Sequence, residues 1–167
     1  MQLVGLDRVI DWVGLHKLLP GPLGRMYRLL PRLAAQAPAL PAVLPAKGEK
    51  RARVGLFSGC VGEAMFSETN RATARVLQAN GCEVVIPRGQ GCCGAIHYHS
   101  GASEPAVDLI HQNVRAFAEQ KLDAVIVNVA GCGSMLKDYS HILAELHPDT
   151  DRSASDDFVG RMQDVSE

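Results

Sequence analysis

From residue 51 onward, short apolar runs alternate with stretches whose apolar residues recur every three or four positions. Residues 53–58 form a compact apolar run and predict a first strand. Met65, Thr69, Ala72 and Val76 then share one helical face, and Asn80-Gly81 supplies the left-handed stop expected after it. Residues 82–86 predict a second strand, closed by Pro87, and residues 89–94 a glycine-rich turn. Ser103 is placed to cap the next helix, with Pro105 in its first turn and Ala106, Leu109, Ile110, Val114 and Phe117 along one face. Residues 123–129 are the most apolar run in the chain and predict a strand buried on both faces. Leu136, Tyr139, Leu143 and Leu146 mark another helix, residues 149–157 a polar loop, and residues 158–167 the start of a further element.

The order strand, helix, strand, helix, strand, helix predicts an α/β fold. It would have three layers: a mainly parallel sheet with helices on its faces. Residues 1–50 have a different texture. Leu3, Leu6, Ile10 and Val13 recur at helical spacing, and residues 23–33 predict a second helical piece. Pro20, Pro22, Pro31, Pro38, Pro41 and Pro45 repeatedly interrupt this region, and each blocks or bends a helix interior. Residues 1–50 are therefore expected to be an arm and linker, extended from residue 37 on, with docking onto a neighbouring subunit as the alternative use of Trp12 and Leu18-Leu19. Residues 51–147 are the expected domain, and residues 148–167 a link toward a second one.

Composition narrows the class. Hydrophobic residues make up 47% of the chain and charged residues 21%, with a formal net charge of −1. That balance lacks the basic excess of a nucleic-acid binder. No run reaches the ~18 apolar residues of a membrane span. Asp7 and Arg8 interrupt the first apolar stretch, so it does not read as a secretion signal. Five cysteines in that setting imply a reducing, cytoplasmic compartment, where clustered thiols serve metal or redox chemistry more often than structural disulfides.

Four of those cysteines follow the strands. Cys60 comes just after the first, Cys92 and Cys93 after the second, and Cys132 after the third. In an open parallel sheet all would lie beyond the strands' carboxyl ends, the edge where such sheets bind ligands. Gly59, Gly91, Gly94, Gly131 and Gly133 flank them and leave backbone N–H groups free to approach sulfur. Four thiolates suit an iron–sulfur cluster or zinc. The absence of paired C-x₂-C knuckles favours the cluster. Cys82 opens a strand, far from that edge, and is expected to serve packing. His97 and His99 read as surface histidines and Lys137 as a solvated lysine, while Asn113 and Asn128 are candidates to bond the rim loops. No Ser-His-Asp set, phosphate loop or carboxylate pair for acid–base work is apparent.

The sets Gly59-Cys60, Gly91-Cys92-Cys93-Gly94 and Gly131-Cys132-Gly133 resemble the cysteine-rich CCG domain. That domain occurs in heterodisulfide reductase, in lactate-utilisation proteins and in the iron–sulfur subunits of glycolate oxidase and anaerobic glycerol-3-phosphate dehydrogenase. Residues 56–61, 91–99 and 130–139 look most like the glycolate oxidase subunit. The resemblance implies a redox-enzyme subunit in which Cys60, Cys92, Cys93 and Cys132 bind an iron–sulfur cluster of the 4Fe-4S type. It further implies electrons arriving from flavin-containing (FAD) partner subunits that oxidise a 2-hydroxy acid, and peripheral association with the inner face of the cytoplasmic membrane. The alternatives are a heterodisulfide-reductase-like thiol/disulfide site and a non-catalytic metal-binding interaction domain. The fuller family motif ends in C-x-x-C, and Met135 occupies its last position, so a five-cysteine cluster would lack a ligand. One such domain without a ferredoxin run is expected to be a piece of a longer subunit or a shortened paralogue.

Overall fold

The computed structural model describes residues 12–14, 20–29 and 38–167. The chain forms two compact units, Met1–Pro38 and Ala39–Glu167. In the first, helix α1 spans Gly21–Leu29, inside the predicted second helical piece apart from its first turn, which accepts Pro22. The helix predicted on Leu3, Leu6, Ile10 and Val13 lies outside the described residues except at Val13.

The second unit carries a five-stranded sheet. Its strands are β1 (Val43–Leu44), β2 (Ala52–Phe57), β3 (Cys82–Val85), β4 (Ala124–Val127) and β5 (Met162–Asp164), in the spatial order β1-β3-β2-β4-β5. Only β1 runs antiparallel; β3, β2, β4 and β5 are mutually parallel. The helices are α2 (Cys60–Met65), α3 (Ser67–Ala79), α4 (Ala95–His99), α5 (Ser103–Ala118), α6 (Ala130–Lys137), α7 (Tyr139–Leu146) and α8 (Ser153–Gly160). The predicted three-layer, mainly parallel α/β architecture is what forms.

The central strands explain their own composition. Val54 and Leu56 of β2 and Ala124 and Ile126 of β4 face one side, with Ala74 of α3 over them; Phe57, Val125 and Val127 face the other, under α5, α7 and α8. Both sides are covered, so β4 has no polar position at all. Gly55 leaves room for the end of α5 and the residues after it: a Cβ there would fall 2.7 Å from Leu122 and 2.8 Å from Phe117. Phe57, Phe117, Phe158 and Tyr139 continue as a chain of ring contacts across this larger core.

Five expectations change. Residues 37–50 are more than a connector: Leu40 is buried, and Val43 and Leu44 pair with Val85 and Val84. Residues 153–157, expected as loop, open α8; Asp151 accepts from the backbone N–H of Ser153, and Phe158 is buried. Residues 162–164 then add a parallel strand, with Met162 opposite Val125. Ser103 does not cap α5 but is its first residue, and Ala102 precedes it. The helix over 136–146 divides at Asp138 into α6 and α7, and the one over 65–76 divides at Phe66 into α2 and α3.

Candidate metal centre

Parallel strands end on the same side, and three loops there deliver the cysteines. Gly59 takes a positive φ of 64° at the end of β2, turning the chain so that Cys60 begins α2. Cys92 and Cys93 follow β3, and Gly94, at φ 87°, swings the chain into α4. Cys132 stands in the first turn of α6, where the helix dipole favours negative charge. The Sγ atoms of Cys60 and Cys92 lie 3.5 Å apart. The Cys93 thiol donates to Cys132. All four expected cysteines thus meet on one rim. Cys82 begins β3 at the opposite end and packs against the smaller core, as its position in the sequence predicted.

Buried polar side chains hold this rim from below. Asn113 of α5, fully buried, accepts from Gly91 N–H (2.8 Å) and donates to the Cys92 carbonyl (2.8 Å). Tyr139, equally buried, donates its hydroxyl to the Cys93 carbonyl at 2.9 Å and accepts from Asn113 at 3.0 Å. The cysteine pair therefore rests on two fixed side chains from different helices. Gln90 joins this loop to the end of β2, accepting from Ser58 N–H and donating to the Leu56 carbonyl. Across the sheet, Asn70 donates to the Ser58 carbonyl at 3.0 Å and accepts from Asn128 at 3.0 Å, and Asn128 also reaches Thr73. The expectation for Asn113 holds. Asn128 acts one step removed, through Asn70. Tyr139 and Gln90 were not foreseen, since Tyr139 reads as one more apolar position on a helix face; a glutamine inside a glycine turn was the available signal for Gln90.

The four thiols differ electrostatically. The Cys93 thiol is pushed well up, first by its hydrogen bond to Cys132 and then by burial. The same hydrogen bond pulls Cys132 down. Burial, then the neighbouring Cys92, raises Cys60. Gly94 N–H points at Cys92 Sγ at 3.5 Å, the kind of donor that stabilises a bound thiolate. His97 and His99 are exposed on α4. Lys137 pairs with Glu167 at 3.1 Å rather than facing the sulfurs. Met135, at the motif's last position, is 4% exposed and belongs to the core.

Among the described residues, no three His, Cys, Asp or Glu side chains are arranged to hold a single metal ion. The rim instead offers a purely sulfur donor set of four thiols in contact one with the next, with glycine backbone beside it. Soft thiolates without imidazole or carboxylate match iron–sulfur chemistry, and the residues present fit such a group.

An open parallel α/β sheet with paired cysteines at its carboxyl rim defines a class, and sequence comparison agrees. The model of the CCG cysteine-rich domain matches residues 54–137, about half of the chain, and the chain belongs to that family. It is 39% identical, over 99% of its length, to the probable glycolate oxidase iron-sulfur subunit of Bacillus subtilis, covering 37% of that protein. It is 32% identical over 86% of its length to the glycolate oxidase iron-sulfur subunit of Escherichia coli, covering 39% of it. Lactate utilization protein A of Geobacillus kaustophilus is 38% identical over 54% of the chain. The chain thus spans less than two-fifths of the two glycolate oxidase subunits' length. No solved structure matches it.

Proposed function

We propose that the rim binds an iron–sulfur cluster of the 4Fe-4S type through Cys60, Cys92, Cys93 and Cys132. The chain would then be part of the electron-transfer subunit of a glycolate oxidase-type oxidoreductase. Electrons would come from flavin-containing (FAD) partner subunits that oxidise a 2-hydroxy acid. The carrying observation is the convergence of four thiols from three loops on one rim, with Cys60 and Cys92 Sγ at 3.5 Å. The names of the relatives from Bacillus subtilis and Escherichia coli support the choice of complex.

When bound, such a group supplies reversible one-electron transfer. The chain's own residues do the rest. Asn113 and Tyr139 fix the carbonyls of Cys92 and Cys93 and so aim their side chains. Gly94 N–H donates to Cys92 sulfur. Cys93 must lose the proton it shares with Cys132 before it can serve as a ligand, so loading releases protons and is favoured as pH rises. With Met135 in the core, no fifth thiol stands on the rim, which argues against the heterodisulfide-reductase-like alternative. Among the described residues no helix is long and apolar enough to cross a membrane. We place the chain in the cytoplasm, reaching the membrane through its partners.

Anaerobic reconstitution with iron and sulfide tests this. Iron and acid-labile sulfide in near-stoichiometric amount, with a broad visible band, are expected. Both should vanish in Cys92→Ser/Cys93→Ser and persist in Cys82→Ser. Uptake of zinc alone, or of no metal, would sink the reading.

A further inference from the structure

The rim thiols form a row, Cys60 to Cys92 to Cys93 to Cys132, each in contact with the next. Cys93 is buried and engaged with Cys132, which is half-buried. Cys60 is exposed, and its sulfur touches that of half-buried Cys92. Cys60 and Cys92 come from loops after different strands, so no peptide geometry forbids a bridge between them, unlike the neighbours Cys92 and Cys93. The two sulfurs already stand 3.5 Å apart, and a covalent S–S bond of ~2.05 Å brings them about 1.5 Å closer.

We propose that Cys60 and Cys92 form a reversible disulfide when the rim carries no metal. The oxidant is a low-molecular-weight disulfide of the oxidised glutathione class. The Cys60 thiolate attacks one sulfur of the reagent, breaking its S–S bond and releasing one thiol. Cys92 then attacks the Cys60 sulfur of the mixed disulfide and releases the second. Two protein thiols lose two electrons and two protons, and one reagent disulfide becomes two thiols. A dithiol reductant reverses the exchange. If the rim binds a cluster as proposed above, the oxidised form lacks two of its four thiolates, and assembly waits for reduction. That consequence rests on the cluster reading; the bridge itself does not.

The test uses the whole metal-free chain, reduced, then exposed to oxidised glutathione, alkylated and digested for mass spectrometry. The expected result is an intact mass lower by two hydrogens and a dominant Cys60–Cys92 cross-linked peptide, with Cys82, Cys93 and Cys132 alkylated after denaturation. Dithiothreitol should restore the original mass. Cys60→Ser, at an exposed position, should lose the cross-link and leave a glutathione adduct on Cys92. Five free thiols after oxidation, or a dominant bridge that includes Cys82, Cys93 or Cys132, would overturn the proposal. Iron uptake by the bridged and reduced forms separates the two readings. A bridge that maps while neither form takes iron supports the disulfide and refutes the cluster. A bridged form that takes up iron as fast as the reduced one refutes the block on assembly.

Discussion

The two ends of the sheet are built from the same strands and do opposite work. At the amino end, charge ties strand to strand: Glu83 of β3 pairs with Lys50 at 3.0 Å and with Arg53 of β2, and Asp123 accepts from Arg53 N–H at 2.7 Å. Cys82 sits there and only packs. At the carboxyl end, the loops are tied by neutral buried amides and a hydroxyl, and the thiols stay in contact with one another. Strand direction, not residue type, decides which cysteines reach the rim. Sulfurs are the donors that meet on this rim, whereas the amino end presents the carboxylates of Glu83 and Asp123.

The largest effect should come from breaking the support of the rim. Asn113→Ala removes the partner of Gly91 N–H and of the Cys92 carbonyl and leaves the Tyr139 hydroxyl with the Cys93 carbonyl alone. A loss of about 3 kcal/mol in urea unfolding is expected, together with faster alkylation of Cys93; an unchanged midpoint would refute the role given to this side chain. Gly94→Ala should cost about 1 kcal/mol, because alanine at φ 87° is strained. It should also change the accessibility of Cys92 to thiol reagents, while a matched change at exposed Gly131, which has open space around it, should do neither. The smallest effect belongs to the amino end. The Glu83 carboxyl is held below the usual range, chiefly by its hydrogen bond from Lys50. Its contribution is present above the unfolded carboxylate pKa and lost as pH falls through the lower folded value. Glu83→Gln should therefore lower the urea midpoint slightly at neutral pH and not at strongly acidic pH, with the rim thiols unaffected; equal shifts at both would point to packing instead.

The β-α-β order was legible because β4 and the last four residues of β2 are buried on both faces and must be apolar. The same order placed four cysteines on one rim and set Cys82 apart. The edge strands were not legible. β1 has two residues and β5 three, too short for any periodicity, and their pairing is fixed by neighbours far along the chain, Val43 with Val85 and Met162 with Val125. The polar run at 149–157 concealed a helix start, since Asp and Ser serve loops and helix beginnings alike. The hydroxyl of Tyr139 was invisible for another reason. Periodicity reports that a ring is buried, not that its oxygen reaches a carbonyl contributed by a different loop.

Those short edges have a consequence for how the protein behaves in company. An open sheet invites a neighbouring chain to extend it wherever an edge strand offers a run of unpaired backbone groups. Here one border is a two-residue strand running against the rest, and the other a three-residue strand followed at once by a turn in which Asp164 engages Ser166. Neither presents enough ladder to template a foreign strand.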